Sequence, residues 1–268
     1  VNYHDRDAAY RAHLGLNQSA LKPLKLSPQH ALHAATAPRK QSAAMALGVL
    51  TERLIACPQD LRCQVKLDGR TNAGKASNAA AEAAGITLMA EDDMDRAMAM
   101  SDALRQDPQA ASLLAGCEFG QPCYWSQDGQ ARKALFDAVD VGRHLVVDIK
   151  TTSDALTPKD IAGAVAKWGY DLQAAWYSQA YEATHGVKPD FWFIFVESSA
   201  PHAVVCVQLD DAWLAEAAQE AELLAEVWQA CTDAGVWPGP GSMTVNGERR
   251  WPAKLDRPQW APRYQLEV

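Results

Sequence analysis

Four apolar side chains in five positions, Leu145, Val146, Val147 and Ile149, constrain this 268-residue chain more than any other feature. A strand with one wet face alternates apolar and polar residues, whereas a continuous apolar run belongs to a strand covered on both faces. One position interrupts the run, and it is Asp148. A charged side chain in so apolar a strand is rarely found without a partner or a metal ion.

The segment before it explains what that partner is. Residues 131–140 (ARKALFDAVD) and 144–150 (HLVVDIK) both read as strands, with Gly142-Arg143 between them. Glycine first in a two-residue loop is the signature of a type II′ hairpin. That turn opposes residues whose numbers add to 285, so Asp137 faces Asp148 with Cβ atoms roughly 4.5–5.5 Å apart. Like charges so placed repel unless a cation or a shared proton lies between them. Lys150 projects from the same face as Asp148, and Val147 and Ile149 from the other. Two carboxylates and one ammonium therefore converge. A D-x-K triplet alone is common and would suit an ordinary surface salt bridge; the apolar surroundings favour a site.

Around this hairpin the chain reads as follows. A polar arm opens it, and Ser27-Pro28 marks a helix start, serine as cap and proline in the first turn. Residues 41–56 form a helix with Met45, Val49, Leu50 and Leu54 at helical spacing, stopped by Pro58. A loop over 68–76 carries Arg70 and Lys75, and helical sequence over 76–116 is interrupted near Gly85 and Pro108. Strands over 118–125, 191–197 and 203–209 join the hairpin, with helix over 158–184. A last helix over 211–233 aligns Trp213, Leu214, Ala217, Leu224, Val227, Trp228 and Cys231 before Gly235. The tail 236–268, rich in Pro, Gly and Trp, reads as irregular chain that wraps the body. The expectation is an α/β (α+β) fold: a central mixed sheet flanked by helices, with a right-handed crossover between residues 150 and 191. It is organised as one domain over 1–268, with an N-terminal arm and helix (1–40), a core (41–235) and the tail.

Composition narrows the function. A hydrophobic content of 48% supports a substantial core, and no stretch reaches membrane-span length or forms a signal-peptide core. Six cysteines, at 57, 63, 117, 123, 206 and 231, form no CxxC pair and suit a reducing, cytoplasmic setting. The histidines have no ligand spacing, and the tryptophans and Tyr170 read as packing. A net charge of −8 excludes coating nucleic acid by bulk electrostatics but not a nuclease, whose acidic cluster is offset by bound cations.

These residues, in this order, resemble the PD-(D/E)xK nuclease superfamily, and within it the exodeoxyribonuclease VIII (RecE) group related to phage lambda exonuclease and to RecB-type nuclease domains. Five patterns carry the resemblance. Ser19-Ala20-Leu21 through Ser27-Pro28 is similar to the N-terminal block, and Gly48-Val49-Leu50-Thr51-Glu52 to the G-x-x-x-H helix. Arg70-Thr71-Asn72-Ala73-Gly74-Lys75-Ala76 resembles the basic loop. Asp137 with Asp148-Ile149-Lys150-Thr151-Thr152 matches the catalytic motifs, and Gln173-Ala174-Ala175-Trp176-Tyr177 the Q-x-x-x-Y motif. Phe136 stands where the family usually has Pro, and Glu52 where it usually has His. A glutamate is a harder oxygen donor and suits Mg²⁺ or Mn²⁺ at least as well.

The resemblance implies a restriction-endonuclease-like core and Mg²⁺-dependent hydrolysis of DNA, with Mn²⁺ as a substitute. Glu52, Asp137, Asp148 and the Ile149 carbonyl would hold the metal, and Lys150 would act on the water or the phosphate. Arg70 and Lys75 would meet DNA, and Gln173 and Tyr177, on one helical face over the site, would meet DNA or the lysine. It further implies 5′→3′ exonuclease action on duplex ends, a single-strand annealing recombinase as partner, and a homo-oligomer. The alternatives are a RecB-type single-strand nuclease or endonuclease, and a non-catalytic DNA- or partner-binding module; the intact Asp, Asp, Lys set speaks against the last.

Overall fold

A computed structural model describes residues 2–38 and 42–242, with two further short paired strands, Thr244–Val245 and Glu248–Arg249. The opening segment is not an arm but a helix, α1 (Tyr3–Ala12), whose start is capped by the Asn2 side chain accepting from the Asp5 amide. After α2 (Gln18–Leu21) and a 3-10 turn (Lys22–Lys25) comes α3 (Pro28–Thr36), capped by Ser27 with Pro28 in its first turn as the sequence predicts. Helix α4 (Ala43–Ala56) buries Leu47, Leu50 and Thr51; Met45, expected on the apolar face, is exposed.

The region 68–76 is only partly loop. Thr71 caps α5 (Asn72–Ala83), so Lys75 is already helical. On either side of α5 lie β1 (Cys63–Val65) and β2 (Thr87–Met89), which pair in parallel as a small separate sheet. Three-residue strands leave too little periodicity to be read from sequence. Helices α6 (Glu91–Gln106) and α7 (Pro108–Leu114) follow, parted at Asp107-Pro108.

The central sheet comprises β3 (Glu118–Gln127), β4 (Gln130–Asp140), β5 (Leu145–Thr152), β6 (Asp190–Glu197) and β7 (Val204–Val207), neighbours in that order. β3, β4 and β5 are antiparallel, β5 and β6 parallel, β6 and β7 antiparallel, which is the mixed sheet expected. The crossover from β5 to β6 is two helices rather than one. α8 (Pro158–Trp168) and α9 (Tyr170–His185) meet at Gly169, whose left-handed backbone (φ 63°) ends one helix and begins the next.

Both faces of the sheet are covered. Val146, Phe136, Phe193 and Phe195 pack with Leu172, Trp176, Tyr177 and Tyr181 of α9 and with Ala221 and Ala225 of α10 (Asp211–Ala234). Leu145, Val147, Ile194 and Val196 pack on the other side with Leu47 and Leu50 of α4 and Met100 and Leu104 of α6. The apolar run at 145–149 is thus divided between two cores, as its pattern demands. On α10, Val227 is exposed, unlike the rest of its predicted stripe. Trp237 stacks edge-on against Trp228, 5.0 Å between centroids, so the first residues of the tail do lie on the body; most of the segment from 243 onward lies outside the described residues. Of the tryptophans read as packing, Trp168 is an exception, 53% exposed. Among the described residues no helix is long and apolar enough to cross a membrane.

Candidate active site

The hairpin register is the one the sequence predicts. Ala138 pairs with Val147, Val139 with Val146 and Asp140 with Leu145, all numbers adding to 285. The turn is not the expected two-residue type II′. Residues 141–144 form it, with positive φ (51°) at His144 and not at Gly142, and the His144 amide bonds back to the Val141 carbonyl. The Asp140 carboxylate takes the Arg143 amide and guanidinium, an alternative local closure that a glycine rule does not anticipate.

The ladder stops one pair short of the aspartates. Beyond Ala138–Val147, Asp137 Oδ2 accepts from the Ile149 amide at 2.9 Å, so a carboxylate stands where a strand carbonyl would. The N–H and C=O of one strand residue point to the same side, which directs the Ile149 carbonyl into the same gap. Asp148 is fully buried. Its Oδ1 accepts from Gln173 Nε2 at 2.5 Å, and it is ion-paired with Lys150. Lys150 Nζ donates in turn to Gln173 Oε1 at 3.1 Å. Gln173 therefore spans both members of the pair from α9.

Glu52 reaches the cluster from α4. The Tyr3 hydroxyl donates to Glu52 Oε1 at 2.5 Å, and the Tyr3 ring lies over Gly120, where an added Cβ would come within 2.6 Å of it. Three carboxylates sense one another here. Burial pushes the Asp137 carboxyl well up, reinforced by Asp148 and Glu52. Burial likewise raises Glu52 to about 7, with the Tyr3 hydrogen bond opposing and Asp148 adding to the rise. For Lys150 burial pulls the ammonium down, but the charges of Asp148 and Asp137 outweigh it and its pKa is raised. Among the described residues no three His, Cys, Asp or Glu side chains are grouped so as to hold a metal ion as they stand. In chemistry, though not in spacing, the donors suit a hard divalent cation: carboxylates whose charges act on one another, and no sulfur.

Two of the residues expected to meet DNA are elsewhere engaged. Tyr177 is only 6% exposed, packed edge-on against Phe136 at 5.5 Å. Gln173 is equally buried and holds Asp148 and Lys150. The four-residue spacing does place both on one face over the site; that face is sealed against the sheet. Arg70 and Lys75 are exposed, and Arg70 is bound to Asp68 through Nε and Nη2 at 3.0 Å. No hydrogen bond or ion pair among the described residues joins either to the carboxylates.

Three site residues escape the sequence patterns. Tyr3 lies in the supposed arm, although Asn2 as a cap and Asp5 in the first turn are legible helix-start signals. Tyr170 has its ring centroid 4.6 Å from Lys150 Nζ. Lys22 Nζ lies 5.5 Å from the centroid of the same ring. No periodicity links either of these to the hairpin.

One solved structure shares this architecture. A crystal structure of a candidate exonuclease from Eubacterium rectale superimposes with a TM-score of 0.64 at 16% identity, covering 96% of this chain and 94% of that one. A phage-related exonuclease from Haemophilus somnus 129PT aligns more loosely, with a TM-score of 0.39 at 11% identity over 83% of this chain and 97% of that one. No curated protein matches in sequence. The chain belongs to the family of PDDEXK-like domains of unknown function designated DUF3799, which matches residues 17–245, and through it to the PD-(D/E)xK superfamily.

Proposed function

We propose that the protein is a Mg²⁺-dependent deoxyribonuclease, an exonuclease that hydrolyses phosphodiester bonds at duplex ends in the 5′→3′ direction. The observation that carries the hydrolytic reading is Asp137 and Asp148 beside a buried, held lysine where β4 parts from β5, with Glu52 near enough for its charge to act on the cluster. Polarity and the preference for duplex ends rest on the resemblance to RecE-type exonucleases.

Asp137, Asp148, Glu52 and the Ile149 carbonyl would hold the metal, with Mn²⁺ able to replace Mg²⁺. A divalent ion bound there supplies a lowered water pKa and neutralises charge at phosphorus. The protein's own groups do the rest. Gln173 fixes the Lys150 ammonium beside Asp148, so that no rotamer search is needed when the phosphate arrives. Lys150 is charged at neutral pH because the aspartates hold its pKa up, so it acts as a fixed positive group toward developing negative charge. Arg70 and Lys75 are proposed to grip the DNA backbone away from the carboxylates. Each phosphate contact they supply adds about 0.9 to the slope of log affinity against log salt for duplex DNA.

Duplexes labelled at the 5′ or 3′ end, incubated with and without Mg²⁺, test the proposal. Metal-dependent release of 5′-terminal nucleotides is expected. Internal cuts or attack only on single strands would replace the exonuclease reading by a RecB-type one, and no cleavage with any divalent metal would overturn it.

A further inference from the structure

Lys22 opens the 3-10 turn after α2 and extends along Gly169, its Cε 3.5 Å from where a Cβ on that glycine would sit. Its Nζ lies 5.5 Å from the centroid of the Tyr170 ring, and Lys150 Nζ lies 4.6 Å from the same centroid. One aromatic ring thus serves two ammonium groups. Lys150 is neutralised by Asp148. Lys22 is half-buried, yet among the described residues no carboxylate lies within ion-pairing distance of its ammonium and no hydrogen bond engages that ammonium. Asp171, whose charge reaches Lys22, has both oxygens in use: Oδ1 accepts from the Leu172 amide at 2.8 Å and Oδ2 from Trp213 Nε1 at 3.1 Å.

Two buried cations among the described residues are matched. Arg132 is paired with Glu222 at 2.8 Å, and Lys133 Nζ donates to the carbonyls of Tyr10 and His13 at 2.9 and 2.6 Å. Taking a cation out of water without an anion is costly. Burial, and after it the charge of Lys150, pushes the Lys22 ammonium down to about 8. That cost is relieved by an anion seated beside the two lysines.

We propose that Lys22 is a catalytic residue that binds a non-bridging oxygen of the scissile phosphate, a contact that Lys150, held by Asp148 and Gln173, does not make alone. The assignment rests on the nuclease reading above. In hydrolysis a water oxygen bonds to phosphorus as the bond to the leaving sugar oxygen breaks, and that oxygen takes up a proton. Negative charge on the non-bridging oxygens is what Lys22 meets.

Lys22→Met and Lys22→Arg test this. In phosphate-free buffer Lys22→Met is expected to melt no lower than wild type, since an unmatched cation has been removed. Inorganic phosphate should raise the melting temperature of wild type and of Lys22→Arg but not of Lys22→Met. In an Asp137→Ala background, Lys22→Met should weaken duplex binding on the order of tenfold, the size of one charged hydrogen bond, and reduce the salt slope by about 0.9. In active protein it should lower kcat/KM about 100-fold, with Lys22→Arg close to wild type. Equal phosphate stabilisation and equal DNA affinity in wild type and Lys22→Met overturn the assignment. These two measurements need no turnover, so they decide Lys22 separately from the nuclease reading, which fails only if the wild type cleaves no DNA.

Discussion

Asp148 and Asp137 differ in what removing them leaves behind. Asp148 is fully buried and ion-paired with Lys150, so Asp148→Ala strands a cation and a glutamine beside it. The expected result is loss of hydrolysis together with a destabilisation of about 3–5 kcal/mol, read from urea melts. Asp137 is the carboxylate pushed up by burial and by two like-charged neighbours. Asp137→Ala should lose hydrolysis with stability unchanged or increased. Equal melting of the two variants would contradict the asymmetry. The reading of opposed aspartates on a hairpin places both residues but treats them as equivalent, and the difference lies in Gln173. A strand's two-residue period fixes which side chains share a face, which is why Asp137, Asp148 and Lys150 are legible in the sequence. It is silent about what packs on that face: the sequence leaves Gln173 and Tyr177 to contact substrate or the lysine, and Gln173 takes the lysine while Tyr177 packs behind it.

Helix α1 is the element that joins the two halves of the carboxylate cluster. Tyr3 holds Glu52 of α4, and His4 Nε2 meets the Asp60 carbonyl just beyond that helix at 2.5 Å. From the same helix, Arg6 donates to the carbonyls of Phe119 and Gly120 on β3, beside Asp137's strand, at 2.7 and 3.2 Å. α1 thereby fixes the reach from Glu52 to the β4–β5 gap. Hydrogen-bonded partners of ligating carboxylates typically carry 10–100-fold of metal affinity. Tyr3→Phe removes only the hydroxyl and leaves the ring on Gly120, so it should weaken Mn²⁺ binding by about tenfold or more, measured by calorimetry on the DNA-free protein. Unchanged Mn²⁺ affinity would separate α1 from the site. Gly120 has positive φ (59°) and no room for a Cβ against Tyr3. Gly120→Ala should therefore lower the melting temperature as well as Mn²⁺ affinity. The long elements were readable because β5 and α10 carry strong apolar patterns. β1 and β2 are too short for a pattern to accumulate, and α1, polar throughout, is marked in the sequence only by its cap and first turn.

At the scale of the whole molecule, a chain of net charge −8 places three acidic side chains in one partly dry site, and its stability should record the conflict. The folded Glu52 carboxyl has its pKa raised to about 7 from an ordinary value of 4.5. Across that window the folded protein keeps a proton that the unfolded chain gives up, so stability falls as pH rises through it. Below the window both states are protonated and the effect vanishes; above it the loss is complete. Glu52→Gln removes the ionisation and keeps an oxygen for the Tyr3 hydroxyl. In the presence of a chelator the variant should gain on wild type by about 1–3 kcal/mol between pH 5 and pH 7.5, in denaturant melts taken at both. Asp137 titrates in the same direction in both proteins, and loses one repulsive neighbour in the variant, which adds to the difference. Excess Mg²⁺ should reverse the order at pH 7.5, because only the wild type retains all three carboxylates for the ion to stabilise. Melts that stay parallel at both pH values, with Mg²⁺ acting equally on each protein, would mean that Glu52 stands outside the cluster.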